Sequence, residues 1–138
     1  VLNEHTLLIP ERPGNRRLDG FENILRNSQI GLLFLVPGRD ETLRVNGKAM
    51  LITDPALMET MTYRDKAPVM ATAVEVEEVF FHCGKACIRS NLWKPAEWGD
   101  ISDIASFGKI LLDQTKATDT TVEALDCYLE DAYRTKLY

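Results

Sequence analysis

Between residues 30 and 52 the chain carries two strand-like runs joined by a turn, and this pattern restricts the fold more than any other stretch. Ile30-Gly31-Leu32-Leu33-Phe34-Leu35-Val36 is apolar throughout, which predicts a strand buried on both faces, as in a barrel wall or a sheet centre. Pro37-Gly38-Arg39-Asp40 supplies turn residues. From Thr42 to Ile52, Leu43, Val45, Gly47, Ala49 and Leu51 alternate with Thr42, Arg44, Asn46, Lys48 and Met50, giving one apolar and one polar face. A connection this short makes the two strands antiparallel neighbours.

The flanking segments extend the pattern. Thr6 to Ile9 reads as a strand ended by Pro10 and Pro13, and Leu18, Phe21, Ile24 and Leu25 follow at helical spacing. Asp54-Pro55 is an N-cap with proline at the first helical position, with Leu57, Met58 and Met61 behind it. Val69 to Cys83 predicts a long strand whose alternation breaks at Glu77-Glu78, the mark of a bulge or kink. Residues 85–98 carry no clear period, whereas Ser102 to Gln114 and Thr121 to Lys136 read as amphipathic helices. No internal repeat or low-complexity segment is present. The order predicts an α+β domain with mainly antiparallel strands.

At 138 residues the chain is expected to form one domain, large enough to bury a core without metals or disulfides. Its 16 basic and 21 acidic side chains give a charge of -5, which repels nucleic acid and anionic lipid, so neither is expected as a partner. The longest apolar run, Ile30 to Val36, is far short of the roughly 18 residues of a membrane span. Cys83, Cys87 and Cys127 cannot all pair within one chain, which points to a reducing compartment, the cytoplasm. The chain opens on Val1 to Ile9, which looks like the middle of a sheet, so a longer parent chain is expected.

The chemistry concentrates at Arg12, Asn15, Arg16 and Arg17, a basic cluster at a helix start in an acidic chain. A phosphate monoester carries nearly two negative charges, and arginine forks bind its oxygens bidentately. Unpaired N–H groups of a first helical turn favour the same ligand. The plainer alternative is a solvated helix start paired with Asp19 or Glu22. His82, Cys83 and Cys87 have poor spacing for zinc and read as buried small residues at a strand end, so no metal is expected. His5 reads as a surface residue. The fingerprints of dinucleotide folds, phosphate-binding loops and serine hydrolases are missing.

Residues Ile9 to Ala49, with Glu75-Val76-Glu77-Glu78-Val79-Phe80-Phe81-His82-Cys83-Gly84-Lys85-Ala86, resemble the pyridoxamine 5'-phosphate oxidase-related flavoproteins, which are FMN-binding split barrels. The nearest likeness is to the subgroup with Pro-Gly-Asn-Arg-Arg-Leu-Asp before the first helix and Glu-Thr-Leu-Arg-Val-Asn-Gly on the hairpin; it covers about residues 1–95. The resemblance implies a mainly antiparallel, six-stranded split β-barrel with flanking helices, with the family's first two strands missing from the start of this chain. It further implies a homodimer with one FMN in each of two intersubunit clefts. Asn15, Arg16 and Arg17 then fall where the family holds the FMN phosphate, with Arg12 close enough to assist. Thr42 stands where the oxidases commonly have glutamine, a departure that bears on substrate chemistry. Thr42 and Arg44 would touch the ring or ribityl side, unless Thr42, Arg44 and Asn46 form an ordinary exposed strand face. Lys85 would enter from the second subunit, and Trp93 and Lys94 would border the cleft. Phe80, Phe81, Trp93 and Trp98 read as core or dimer interface.

The expectation is therefore one FMN-binding domain over residues 1–138, with barrel portion 1–98 and C-terminal helices 99–138. It would be an oxidoreductase acting on a small-molecule substrate at the flavin. The alternatives are a non-catalytic flavin, deazaflavin or haem binding module, and a structural dimerisation domain with an empty cleft.

Overall fold

A computed structural model describes residues 1–14 and 17–136. The chain divides into two compact units, Val1–Glu97 and Trp98–Tyr138. The first holds β1 (Thr6–Pro10), α1 (Asp19–Arg26), β2 (Gln29–Phe34), β3 (Thr42–Ile52), α2 (Pro55–Thr60), β4 (Ala71–His82), α3 (Lys85–Arg89) and a 3-10 turn at Pro95–Glu97. The second holds α4 (Phe107–Thr115) and α5 (Val122–Thr135).

The four strands form one antiparallel sheet in the order β1-β4-β3-β2, so the α+β, antiparallel expectation holds. The register pairs Asn46 with Glu78 and then Gly47 with Val76, leaving Glu77 as the extra residue of a β-bulge. This is the break that the glutamate pair marks in the sequence. A Cβ on Gly47 would overlap the Glu75 carbonyl oxygen, so β4 closes on β3 there because residue 47 has no side chain. Val45, Ala49 and Val74 are buried on one face, while Ala71 and Ala73 are buried on the other. The residues are small, so strand backbones approach closely and the core gains density rather than volume.

Capping sets the helix ends. The Asp54 carboxylate accepts from the Leu57 N–H at 2.9 Å, as the Asp-Pro pair implies, and Met58 alone in α2 is buried. The Ser106 hydroxyl caps α4 by accepting from the Lys109 N–H at 3.2 Å, which starts that helix at Phe107 rather than Ser102. Asp100 instead accepts from the Ser102 N–H and hydroxyl at 2.9 and 2.7 Å, a local turn that competes with helix. Thr121 caps α5 by accepting from the Ala124 N–H, so the helix starts at Val122, one residue inside the expected span. Asp126 of α5 accepts from the Gly108 N–H at 2.8 Å, tying the two helices of the second unit together.

Two further expectations are overturned: Cys83, expected to be buried at the strand end, is exposed, and the apolar run before the turn is not buried on both faces. The Ile30 to Val36 run is an edge strand that ends at Phe34, and Leu33 is 52% exposed. Its apolarity serves a row of side chains across the sheet rather than burial on both faces. Phe34, Leu43 and Phe81 are register partners, as are Leu32, Val45 and Val79. These six residues make one apolar ladder, in which Phe81 is 76% and Val79 55% exposed.

Candidate functional site

The candidate residues fall into two groups at opposite ends of β3. Arg12 follows β1, whose last residue Pro10 pairs with Ala71, itself opposite Ile52. Thr42 lies at the other end of β3, opposite His82, and Lys85 begins α3 three residues beyond that histidine. Ten residues at the strand rise put Thr42 about 30 Å along β3 from the Arg12 end. Arg12 and Thr42 thus stand at opposite ends of the strand.

At the first end, the Arg12 guanidinium donates to the Met61 carbonyl at 2.5 Å and the Lys66 carbonyl at 3.1 Å. It thereby closes the loop after α2 onto the end of β1, with two of its five donors taken by backbone. Asn15 and Arg16 lie outside the described residues. Arg17 pairs with Asp19 at 3.0 Å, both side chains being about 70% exposed (73% and 69%). Glu22 pairs with Arg26 instead. Arg17 and Asp19 thus form an exposed pair at the start of α1. Such a surface pair contributes at most about 1 kcal/mol, so a doubly charged phosphate competes with it readily. The first turn of α1 carries Asp19 and Glu22, which complement the helix dipole themselves, so an anion here would rest on the arginines more than on the helix.

At the second end, the polar face of β3 is not an ordinary solvent face. Thr42 is 8% exposed. Arg44 is part-buried in a cross-strand row between Leu33 and Phe80, and its Nε is sealed from water with no hydrogen-bond partner among the described residues. Asn46 donates to Glu78 at 2.8 Å, and Lys48 pairs with Glu77 at the bulge at 3.3 Å. Arg44 is therefore the one cation of this strand face left without a partner among the described residues. Lys85 is exposed at the start of α3.

Two hollows escape the sequence reading. One of about 640 Å³ lies along β1, with Leu8, Met50, Ile52 and Leu57 inside and His5 and Glu75 in its lining; none of the five described candidate residues lines it. The other, of about 400 Å³, lies between the β2–β3 turn and α3, where Asp40 meets Trp93 and Lys94. Trp93 and Lys94, expected at a flavin cleft, line this hollow together with Asp40, a residue of the turn. Asp40 reaches that place because Gly84 has no side chain: a Cβ there would lie 2.5 Å from the Asp40 Cβ. The three cysteines are free thiols, with Cys87 buried.

The arrangement defines a small α+β protein with cationic groups at both ends of one long strand. The family model for pyridoxamine 5'-phosphate oxidase matches residues 1–83, and the chain belongs to that family. No curated protein matches it. Among solved structures it is similar to HupZ of Group A Streptococcus, determined at 1.70 Å, with 23% identity and a TM-score of 0.47. That alignment covers 59% of this chain and 66% of the other, so the chain spans just under two thirds of HupZ. No helix among the described residues is long and apolar enough to cross a membrane.

Proposed function

We propose that the protein is a homodimeric FMN-binding flavoprotein of the split-barrel kind, an oxidoreductase for a small organic substrate, working in the reducing cytoplasm. The observation that carries this reading is the sealed Arg44 Nε, a donor that folding has desolvated without supplying an acceptor. Such a donor costs about 1–3 kcal/mol when left unmade, and a ligand carbonyl or ring nitrogen meets that need. When bound, FMN supplies two-electron redox chemistry. Arg44 and Thr42 donate to the ring edge and tune it, and Lys85 adds positive charge from the second subunit. Arg17, together with Asn15 and Arg16, holds the phosphate. Arg12 contributes by fixing the loop after α2 onto the end of β1.

Because Arg12 and Thr42 of one chain lie about 30 Å apart along β3, the reading requires the two groups on one ligand to come from two chains. The exposed members of the apolar ladder, Phe34, Val79 and Phe81, offer the second copy a surface of the kind that dimers bury. Three free thiols suit a reducing compartment.

An absorption spectrum of the purified protein tests the cofactor. Flavin bands in the near-ultraviolet and blue that survive gel filtration support it, and photoreduction followed by reoxidation with candidate substrates then reads turnover. A colourless protein that takes up no added FMN refutes it.

A further inference from the structure

We propose that the hollow between the β2–β3 turn and α3 binds a small organic cation, with Asp40 as the counter-charge. Its volume of about 400 Å³ lies within the range of small-ligand sites. Its walls include Ile88, Leu92 and Trp93, which suit an apolar body, and Asp40, which suits a charged head.

The walls are set before any ligand arrives. The Trp93 Nε1–H donates to the Arg39 carbonyl at 2.6 Å and fastens the turn to the segment after α3. The Leu92 N–H donates to the Cys87 carbonyl at 3.0 Å, and Cys87 itself is buried. Gly84 lets the Asp40 backbone settle against the start of α3. Binding therefore orders little that is not already ordered, which favours affinity for a small ligand.

Among the charged residues that line the hollow and the two that flank Asp40, every one but Asp40 has a partner. Arg39 pairs with Glu41 at 3.8 Å and Lys94 with Glu97 at 3.3 Å. Asp40, between Arg39 and Glu41 in sequence, is part-buried and makes no hydrogen bond or ion pair among the described residues. A carboxylate partly withdrawn from water lacks donors, and an ammonium or guanidinium group supplies them. An anion would meet the same carboxylate with Lys94 already engaged. The inference does not rest on the flavin reading, since Asp40, which carries it, is not among the residues proposed to hold the cofactor, although Trp93 and Lys94 also stand among the residues expected to border a flavin cleft.

Calorimetric titration of the full chain with benzylammonium, benzyl alcohol and benzoate tests it. Saturable binding is expected for the cation alone. Asp40→Asn should weaken that binding at least about tenfold, the effect of a lost charge-assisted contact. Ile88→Trp, which fills the hollow but keeps the carboxylate and replaces a side chain that is already exposed, should weaken it as strongly. Absence of benzylammonium binding, equal binding of benzoate or the alcohol, or binding that survives Ile88→Trp would overturn the proposal.

Discussion

Replacing Arg44 by methionine should move stability and FMN affinity in opposite directions. In the ligand-free protein the Arg44 Nε–H is cut off from water with nothing to accept it. A buried donor in that position costs about 1–3 kcal/mol, and the low end applies because Nε is the only atom of the guanidinium that is sealed. Methionine removes the orphan while keeping an unbranched apolar stem in the row between Leu33 and Phe80. A gain of about 1 kcal/mol raises the melting temperature of a domain the size of the Val1–Glu97 unit by about 4–8 °C. With FMN present the sign reverses. A charge-assisted hydrogen bond contributes about 1.5–3 kcal/mol, so the dissociation constant should rise about 10- to 150-fold.

Scanning calorimetry of flavin-stripped protein reads the first quantity, and quenching of FMN fluorescence on titration reads the second. A variant that melts lower without flavin would show that Arg44 makes contacts that outweigh its sealed donor. A variant that binds FMN as tightly as the parent would remove Arg44 from the site. Either result refutes the reasoning that a desolvated, unmatched donor is kept for a ligand.

Other substitutions probe other parts of the argument. If the protein dimerises through the ladder, as proposed, Phe81→Glu, which places a charge where a side chain is already 76% exposed, should leave the monomer's stability nearly unchanged while shifting the sedimentation mass from a dimer to the 15.6 kDa monomer; a dimer that survives the substitution would move the interface elsewhere. Gly47→Ala drives a Cβ into the Glu75 carbonyl beside the bulge and should cost about 2–3 kcal/mol in urea unfolding, against almost nothing for Gly20→Ala, where a Cβ has open space. The Asp100 carboxyl is held below its ordinary range by the Ser102 hydroxyl and then the Ser102 N–H, so Ser102→Ala should raise its titration midpoint in an NMR pH series. A carboxylate with a depressed folded-state pKa lends its stabilisation above the unfolded pKa and loses it as pH falls through the folded one, so the Asp100 turn should loosen only in acid.

Much of the fold is legible because local rules and tertiary packing agree. Asp54-Pro55 announces α2, the paired glutamates announce the bulge at Glu77, and the alternation from Thr42 gives β3 its correct ends. The apolar run at 30–36 misleads for a physical reason: period and hydropathy report that a side chain avoids water, not which surface covers it. An edge strand that builds an apolar ladder with Leu43 and Phe81 has the same composition as a strand inside a barrel. Helix α4 misleads because Asp100 and Ser102 satisfy one another locally, a competition that apolar spacing does not register. At the site, residue types are legible but partnerships are not. Nothing in the spacing says that Arg17 pairs with Asp19 rather than Glu22, that Arg12 serves two carbonyls about fifty residues away, or that Asp40 faces Trp93.

The distribution of cations along β3 bears on how many chains a ligand needs. Arg12 is spent on closing a loop at one end, and Arg44 is unspent at the other, with roughly 30 Å of strand separating the Arg12 end from Thr42. Under the flavin reading, a site that combines arginines near residue 17 with Arg44 takes them from two copies, the second bringing its own arginines to the Thr42 corner. The exposed ladder lies at that corner, on the opposite face of the same rows: Phe34, Leu43 and Phe81 stand one residue from Leu33, Arg44 and Phe80 on each strand. A copy seated on the ladder would lie within one strand's thickness of Arg44. Under the flavin reading, burying the ladder and filling the Arg44 site become a single event, so dimerisation and flavin affinity should fall together when Phe81 is charged even though Phe81 faces away from Arg44.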